Sequence, residues 1–179
     1  MRIEAGELKG RAVAVPPGAR PTEGRVRGAL LSIWSERLPD ARFLDLFAAS
    51  GAVGLEALSR GALEAVFVES GREACKVLER NLRLAPAGAT RLVRLAVPEA
   101  LGALAAAGER FDLVFADPPY AWTVTEVFLN GVAAILATGG ELALEHSRRV
   151  RPPESGGGLV RREARRYGES ALAFYAREP

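Results

Sequence analysis

The residues with the most chemical meaning are Asp117-Pro118-Pro119-Tyr120. Two adjacent prolines cannot continue a helix or a central strand, so they end an element and stiffen a turn. A carboxylate and a neighbouring carbonyl held in such a turn can accept both hydrogens of one amino group. The exocyclic amine of a nucleobase is a poor nucleophile, because its lone pair is delocalised into the ring. Two acceptors aimed at its hydrogens favour a more pyramidal nitrogen and release that pair. Tyr120 adds a flat face on which an unpaired base can stack. Two more acids carry potential chemistry. Asp45 precedes the small-residue loop Ala48-Ala49-Ser50-Gly51, and Glu69 follows that loop by about 20 residues. At that spacing a carboxylate commonly accepts hydrogen bonds from two ribose hydroxyls.

These residues need a scaffold that brings them together. After Pro39 the chain alternates near-continuous apolar runs with helical patterns. Strands are expected over 42–47, 65–69, 91–96, 111–116 and 141–145. Helices are expected over 52–60, 72–84, 98–107 and 125–136. The tail adds a Pro/Gly loop over 152–158 and two strands near 159–164 and 171–176. The beginning of the chain reads as a short hairpin over 1–15, with Ile3, Val13 and Val15 around a Gly6–Gly10 turn. A helix near 25–36 follows it. Apolar strands each followed by a helix indicate α/β architecture, a mainly parallel seven-stranded sheet with helices on both faces. Ligands of such sheets bind beyond the carboxyl ends of the strands, where strand order reverses. Asp45, Glu69 and Asp117 all fall at or near those ends. The loop after Phe47 lacks the G-x-G-x-x-G spacing of a dinucleotide site, which argues against a nicotinamide dehydrogenase.

Composition narrows the classes. With 179 residues and 49% hydrophobic content, the chain is expected to form one domain, 1–179, with 1–38 as an extension. The single cysteine, Cys75, rules out a disulfide framework and a Cys-based zinc cluster, and the single histidine, His146, argues against His-dependent catalytic units. No metal is expected. Cys75, His146 and Trp34 read as structural residues. Trp122 reads as packing that could also border a base. The start of the chain has no apolar signal core and no run long enough to span a membrane, so a cytoplasmic protein is expected. Net charge is +2 but uneven: residues 1–30 hold six basic and three acidic groups, 31–146 hold ten and fifteen, and 147–179 hold eight and four. Basic ends on an acidic body suggest an anionic partner.

A small-residue loop after strand one, an acid after strand two and D-P-P-Y after strand four resemble the class I S-adenosylmethionine-dependent amino-methyltransferases, which are Rossmann-like. Arg2-Ile3, Gly6, Lys9-Gly10-Arg11, Arg20-Pro21-Thr22, Arg25-Val26-Arg27 and Ala29-Leu30 narrow the likeness. With Leu44–Gly54 and Leu55–Ala62, they are similar to the RsmD-type enzymes. Those methylate the exocyclic N2 amine of one guanine in bacterial 16S ribosomal RNA of the small subunit. The resemblance implies that Asp45, Phe47, Ala48, Ala49, Ser50, Gly51, Glu69, Ala96, Val97 and Asp117 form the S-adenosylmethionine site. Glu69 would hold the ribose, and Ala96 and Val97 would border the adenine. Asp117 and the Pro118 carbonyl would orient the guanine amine, with Tyr120 stacked on the base. Arg2, Lys9, Arg11, Arg20, Thr22, Arg25 and Arg27 are the candidates for RNA contact, on 16S rRNA or a subunit particle, and a monomer is expected. Arg161, Arg162, Arg165 and Arg166 near the tail hairpin are candidates for a second contact, with a solvated face the favoured reading. The family pattern usually has glycine at the position of Ala49, which a negative φ there would make harmless. It often has a polar residue near Ala96-Val97, where this chain would rely on backbone groups. Two alternatives remain at this level: a DNA adenine or cytosine amino-methyltransferase, and a non-catalytic RNA-binding assembly protein on the same fold.

Overall fold

A computed structural model describes residues 1–18, 24–119 and 121–178. Five parallel strands come first: β1 (Arg42–Leu46), β2 (Glu64–Val68), β3 (Thr90–Val93), β4 (Phe111–Ala116) and β5 (Leu136–Ser147). Three antiparallel ones follow: β6 (Ser155–Gly156), β7 (Leu159–Tyr167) and β8 (Ser170–Arg177). The order across the sheet is β3-β2-β1-β4-β5-β8-β7-β6. The seven expected strands are present, and the eighth is a two-residue edge pairing within the Pro/Gly loop. The chain reverses direction across the sheet between β1 and β4, whose shared register ends at Leu46 beside Ala116. That junction is the crevice where a ligand is expected.

The strands are apolar on both faces because helices cover both. On one face lie α1 (Gly24–Ile33), α2 (Ala52–Ser59) and α3 (Arg72–Leu82), packed with Phe43, Phe67 and Phe115. On the other lie α4 (Val97–Ala106) and α5 (Glu126–Ile135), packed with Leu44, Leu46, Val66 and Val114. Odd and even residues of β1, β2 and β4 therefore feed two different cores, which is why these strands show no polar alternation, whereas β7 is largely exposed and charged. Trp34 and Cys75 are buried in this framework, as their patterns predict. Among the described residues no helix is long and apolar enough to cross a membrane.

Three expectations need correction. The 1–15 hairpin is present but shorter than expected: Met1 and Val13 exchange backbone hydrogen bonds, Ile3 N donates to Arg11 O and Gly10 N to Ile3 O around the Arg2–Ala12 bridge, and Ala14 turns away to Asn81. Residues 5–8 bond instead to the end of α2. Ser59 Oγ donates to Ala5 O, Leu8 N donates to Ser59 Oγ at 2.8 Å, and Glu7 N donates to Ser59 O. Those groups, in the turn, are then not available to lengthen the two-stranded ladder. β3 stops at Val93 rather than Ala96, and β5 begins at Leu136, where a pairing with Phe111 precedes a register shift.

The third correction concerns Arg27, a candidate for RNA contact. It is only 3% exposed. Its Nε donates to Glu56 Oε2 at 2.8 Å, and one terminal nitrogen donates to Glu4 Oε1 at 2.8 Å and to the Arg2 carbonyl. Glu56 is fully buried in α2 and also accepts from Arg60. The arginine faces inward because it neutralises a carboxylate inside the apolar α2 segment. It ties the first residues of the chain to α1 and α2, and no phosphate can reach it.

Candidate active site

The turns after β1, β2 and β4 meet at the strand-order reversal. After Leu46 the backbone enters the left-handed region at Phe47 (φ 61°), Ala49 (φ 46°) and Gly51 (φ 74°). Ala48 N donates to Val68 O at 3.0 Å, and Gly51 N donates to Ala48 O at 2.7 Å. The loop thus folds back over the end of β2 before α2 begins. A side chain at Gly51 would collide with Leu78, and one at Gly54 would collide with the Phe67 ring. These two glycines let loop and helix lie against β2 and α3.

Negative φ, the condition that would make alanine harmless at position 49, is not met. The φ of 46° at Ala49 is one that alanine adopts at a cost of roughly 1–2 kcal/mol. The conformation is held from outside, because Ala49 N donates to Glu69 Oε2 at 2.9 Å. Replacing Ala49 by glycine removes the strain, against about 0.4–1 kcal/mol of added freedom in the unfolded chain. The expected result is a melting temperature higher by about 1–3 °C by calorimetry. A lower melting temperature would show that the methyl group has a packing role that outweighs its strain.

Glu69 follows β2 and is half-buried. Its Oε2 accepts from Ala49 and its Oε1 accepts from Gly71 N at 2.7 Å. Two backbone donors fix the carboxylate and leave each oxygen with further lone-pair capacity for hydroxyls. Asp45 is 2% exposed and accepts from Gly54 N at 3.0 Å through Oδ2. Burial pushes its carboxyl pKa up to about 8; the Gly54 bond opposes this, and the charges of Asp117 and Glu69 add to it. The negative charges of Asp117 and Glu69 help to keep the buried Asp45 protonated, and a cation placed beside them would offset that effect.

A stability test follows from the sign of this shift. An acid whose folded pKa lies above its unfolded value holds an extra proton only when folded. Its stabilising contribution is complete below about pH 4 and is lost as pH rises to about 8. Asp45→Asn keeps an acceptor for Gly54 N–H without the titration. The gap in melting temperature between variant and wild type should widen in favour of the variant from pH 5 to pH 8.5. A constant gap would mean that Asp45 is ionised throughout.

Asp117 is half-buried directly after Ala116, near enough to Asp45 for its charge to raise that carboxyl's pKa. Pro118 is half-buried and Pro119 is exposed. Trp122 N donates to Pro119 O at 2.8 Å, closing the turn. The Trp122 ring packs edge-on to Phe47 at 5.1 Å and to Phe128 at 5.0 Å. The packing role expected of Trp122 is observed, and it also joins the Asp117 turn to the Phe47 loop. Ala96 is exposed at the start of α4, whereas the Val97 side chain is buried among α4 and α5 residues. Only the backbone of Val97 is available at that surface. Tyr120, Arg20 and Thr22 lie outside the described residues.

Sequence reasoning missed one organising residue. Asn81 is 3% exposed on α3, and its Nδ2 donates both to Ser50 O and to Ala14 O, each at 2.8 Å. Its Oδ1 accepts from Ala14 N. The amide thereby clamps the small-residue loop to the N-terminal segment. No periodicity could reveal this, because the partners are 31 and 67 residues away. The basic candidates are spread out. Arg2, Lys9 and Arg11 are exposed on the segment packed against the far ends of α2 and α3, where Arg11 donates to Leu84 O. That is about 16 Å, one α3 length, from the start of α3 beside Glu69. Arg25 is exposed on α1.

The chain matches the family described as conserved hypothetical protein 95 over residues 1–176. It is 40% identical over 147 residues to ribosomal RNA small subunit methyltransferase D of Escherichia coli (strain K12), covering 81% of this chain and 71% of that one. A solved structure of a hypothetical protein from Thermus thermophilus superposes with a TM-score of 0.85 at 41% identity, covering 97% of this chain and 98% of that chain. An S-adenosylmethionine-dependent methyltransferase from Agrobacterium tumefaciens, 17% identical, shares the fold with a TM-score of 0.67 over 90% of this chain and 64% of its own. The architecture is thus the Rossmann-like fold of S-adenosylmethionine-dependent methyltransferases. With that fold and a match along nearly its whole length, the chain belongs to the conserved hypothetical protein 95 family, the RsmD-type family of ribosomal RNA methyltransferases.

Proposed function

We propose that this protein transfers a methyl group from S-adenosylmethionine to the exocyclic N2 amine of one guanine in 16S ribosomal RNA of the small subunit. The observation that carries the reading is the convergence of Asp45, Glu69 and the Asp117-Pro118-Pro119 turn at one strand-order reversal. The donor set suits this cofactor. Glu69 offers a fixed carboxylate to ribose hydroxyls, and the Phe47–Gly51 loop passes close to the methionine part. Ala96 and the Val97 backbone border the adenine. The negative charges of Asp117 and Glu69 near the buried Asp45 suit a cationic ligand.

The bound cofactor supplies a methyl group on a cationic sulfur and leaves as S-adenosylhomocysteine. The chain's own residues do the rest. Asp117 accepts one hydrogen of the target amine and the Pro118 carbonyl accepts the other, which aims the nitrogen lone pair at the methyl carbon. Tyr120 stacks on the base. After transfer the amine carries an extra proton, which Asp117 or water removes. This is catalysis by alignment and electrostatics. The segment 1–38 serves as an RNA-binding extension, with Arg2, Lys9, Arg11, Arg20, Thr22 and Arg25 as contacts.

The test is methyl transfer from labelled S-adenosylmethionine to unmodified small subunits, total RNA and DNA in parallel, with digestion to nucleosides. Label on the exocyclic amine of guanosine is the expected result. Label in DNA adenine or cytosine would overturn the substrate. No label, with no cofactor bound at millimolar concentration, would favour an assembly protein.

A further inference from the structure

The C-terminal antiparallel part of the sheet overhangs the candidate active site. β4 and β5 are in register at Ala116 and Leu144, and β5 continues three residues further to Ser147. At about 3.3 Å per residue its end projects about 10 Å past the level of Ala116. Ser147 and Tyr167 both pair with Ser170, so the β7–β8 turn lies at that same height. Three strand spacings, about 14 Å, separate β4 from β7. Around this tip stand five arginines, Arg148, Arg149, Arg151, Arg165 and Arg166, and three carboxylates, Glu163, Glu169 and the buried Glu145, which is level with Arg165.

The partners of these groups are unequal. Glu163 pairs with Arg165 on its own strand. Glu169 is shared between Arg148 at 2.7 Å and Arg149 at 3.7 Å. Arg149 is 80% exposed. Arg151 and Arg166 are exposed and form no ion pair among the described residues. The opposite end of the sheet is different. There Arg42 pairs with Glu64 and Glu109, Arg91 with Glu109, Arg37 with Glu141 and Arg161 with Glu154. At that end most arginines are ion-paired, although Arg110 and Arg162 bond only to backbone carbonyls, whereas at the β7–β8 tip, to the side of the acidic crevice of Asp45, Glu69 and Asp117, the basic groups outnumber the acids. The platform is also fixed in place. Arg148 N donates to Glu169 O, Val150 N to Ser147 O, and the Tyr175 hydroxyl to Pro153 O.

We propose that Arg148, Arg149, Arg151 and Arg166 form a second docking surface, which holds backbone phosphates of the RNA flanking the target base. This rests on the RNA substrate proposed above. Guanidinium groups suit the role, because each presents a planar fork to phosphate oxygens. A preformed strand tip gives up little ordering entropy on binding. The surface replaces the solvated face that the sequence suggests for this hairpin.

The test compares wild type with the triple variant Arg149→Gln, Arg151→Gln, Arg166→Gln. A charge-matched triple at the far end, Arg91→Gln, Arg110→Gln, Arg162→Gln, controls for net charge. Affinity for unmodified 16S RNA is measured against salt concentration, alongside KM for RNA in methyl transfer. The rim variant should lose about 2–3 from the log–log salt slope, at about 0.7–0.9 per phosphate contact. Its KM for RNA should rise at least tenfold, with unaltered affinity for S-adenosylmethionine. The far-end control should keep the wild-type slope, and lysines at the three rim positions should restore most of it. Wild-type slope and KM in the rim variant, while wild type methylates RNA, would overturn the docking surface and leave the proposed function standing. Label from wild type in DNA and none in RNA would overturn both.

Discussion

Changing Asp117 to alanine should lower kcat for methyl transfer by about 10²–10⁴-fold, the range for loss of a positioned acceptor or base. Affinity for S-adenosylmethionine should change by less than about threefold. The reason lies in the separate anchoring of the two acids. Glu69 is fixed by Ala49 and Gly71 on the cofactor side, whereas Asp117 leads the rigid Pro118-Pro119 turn beside the reversal. Asp117→Asn retains one acceptor and should fall between wild type and alanine. Calorimetric titration with the cofactor and single-turnover transfer to unmodified subunits measure the two effects independently. If the alanine variant transfers methyl groups at a near-normal rate, Asp117 does not orient the amine. If its cofactor affinity collapses instead, Asp117 belongs to the cofactor site.

The second large effect falls on stability. Arg27→Met removes the cation from a buried network and leaves Glu56, fully buried, with Arg60 as its remaining ion-pair partner. Breaking a buried pair in this way costs about 3–5 kcal/mol. For a chain of this size that lowers the melting temperature by about 6–20 °C. Measured below that temperature, the salt slope of RNA binding should stay at the wild-type value. Arg25→Gln, on the exposed face of the same helix, should show the opposite pattern: unchanged stability and a slope reduced by about one contact. A stable Arg27→Met variant with a reduced slope would return Arg27 to the RNA interface.

Charge is what separates these two arginines, and the sequence could not sort them. Arg25 and Arg27 sit two positions apart on one helix, in a motif that reads as basic. What turns Arg27 inward is a glutamate 29 residues later, placed on α2 inside an apolar run. An isolated charge in such a run is the one available signal, and it points to Glu56 rather than to its partner. Ala49 teaches the same lesson for the backbone. Its residue type argues for negative φ, but Glu69 and Val68 hold the loop from β2, and the loop takes the left-handed path.

Local pattern along the chain is enough to specify the alternation of strands and helices, the two-sided burial of the central parallel strands, and the three acids at or near their carboxyl ends. Each depends on local pattern: apolar runs of strand length, helical periodicity, and prolines that can only end an element. The tertiary structure alone decided which basic groups face water and how the loop is clamped by Asn81. It also decided that the C-terminal hairpin carries its excess charge above the Asp117 turn. Those outcomes depend on pairings across tens of residues, where burial forces a polar group to find whichever partner the fold brings near.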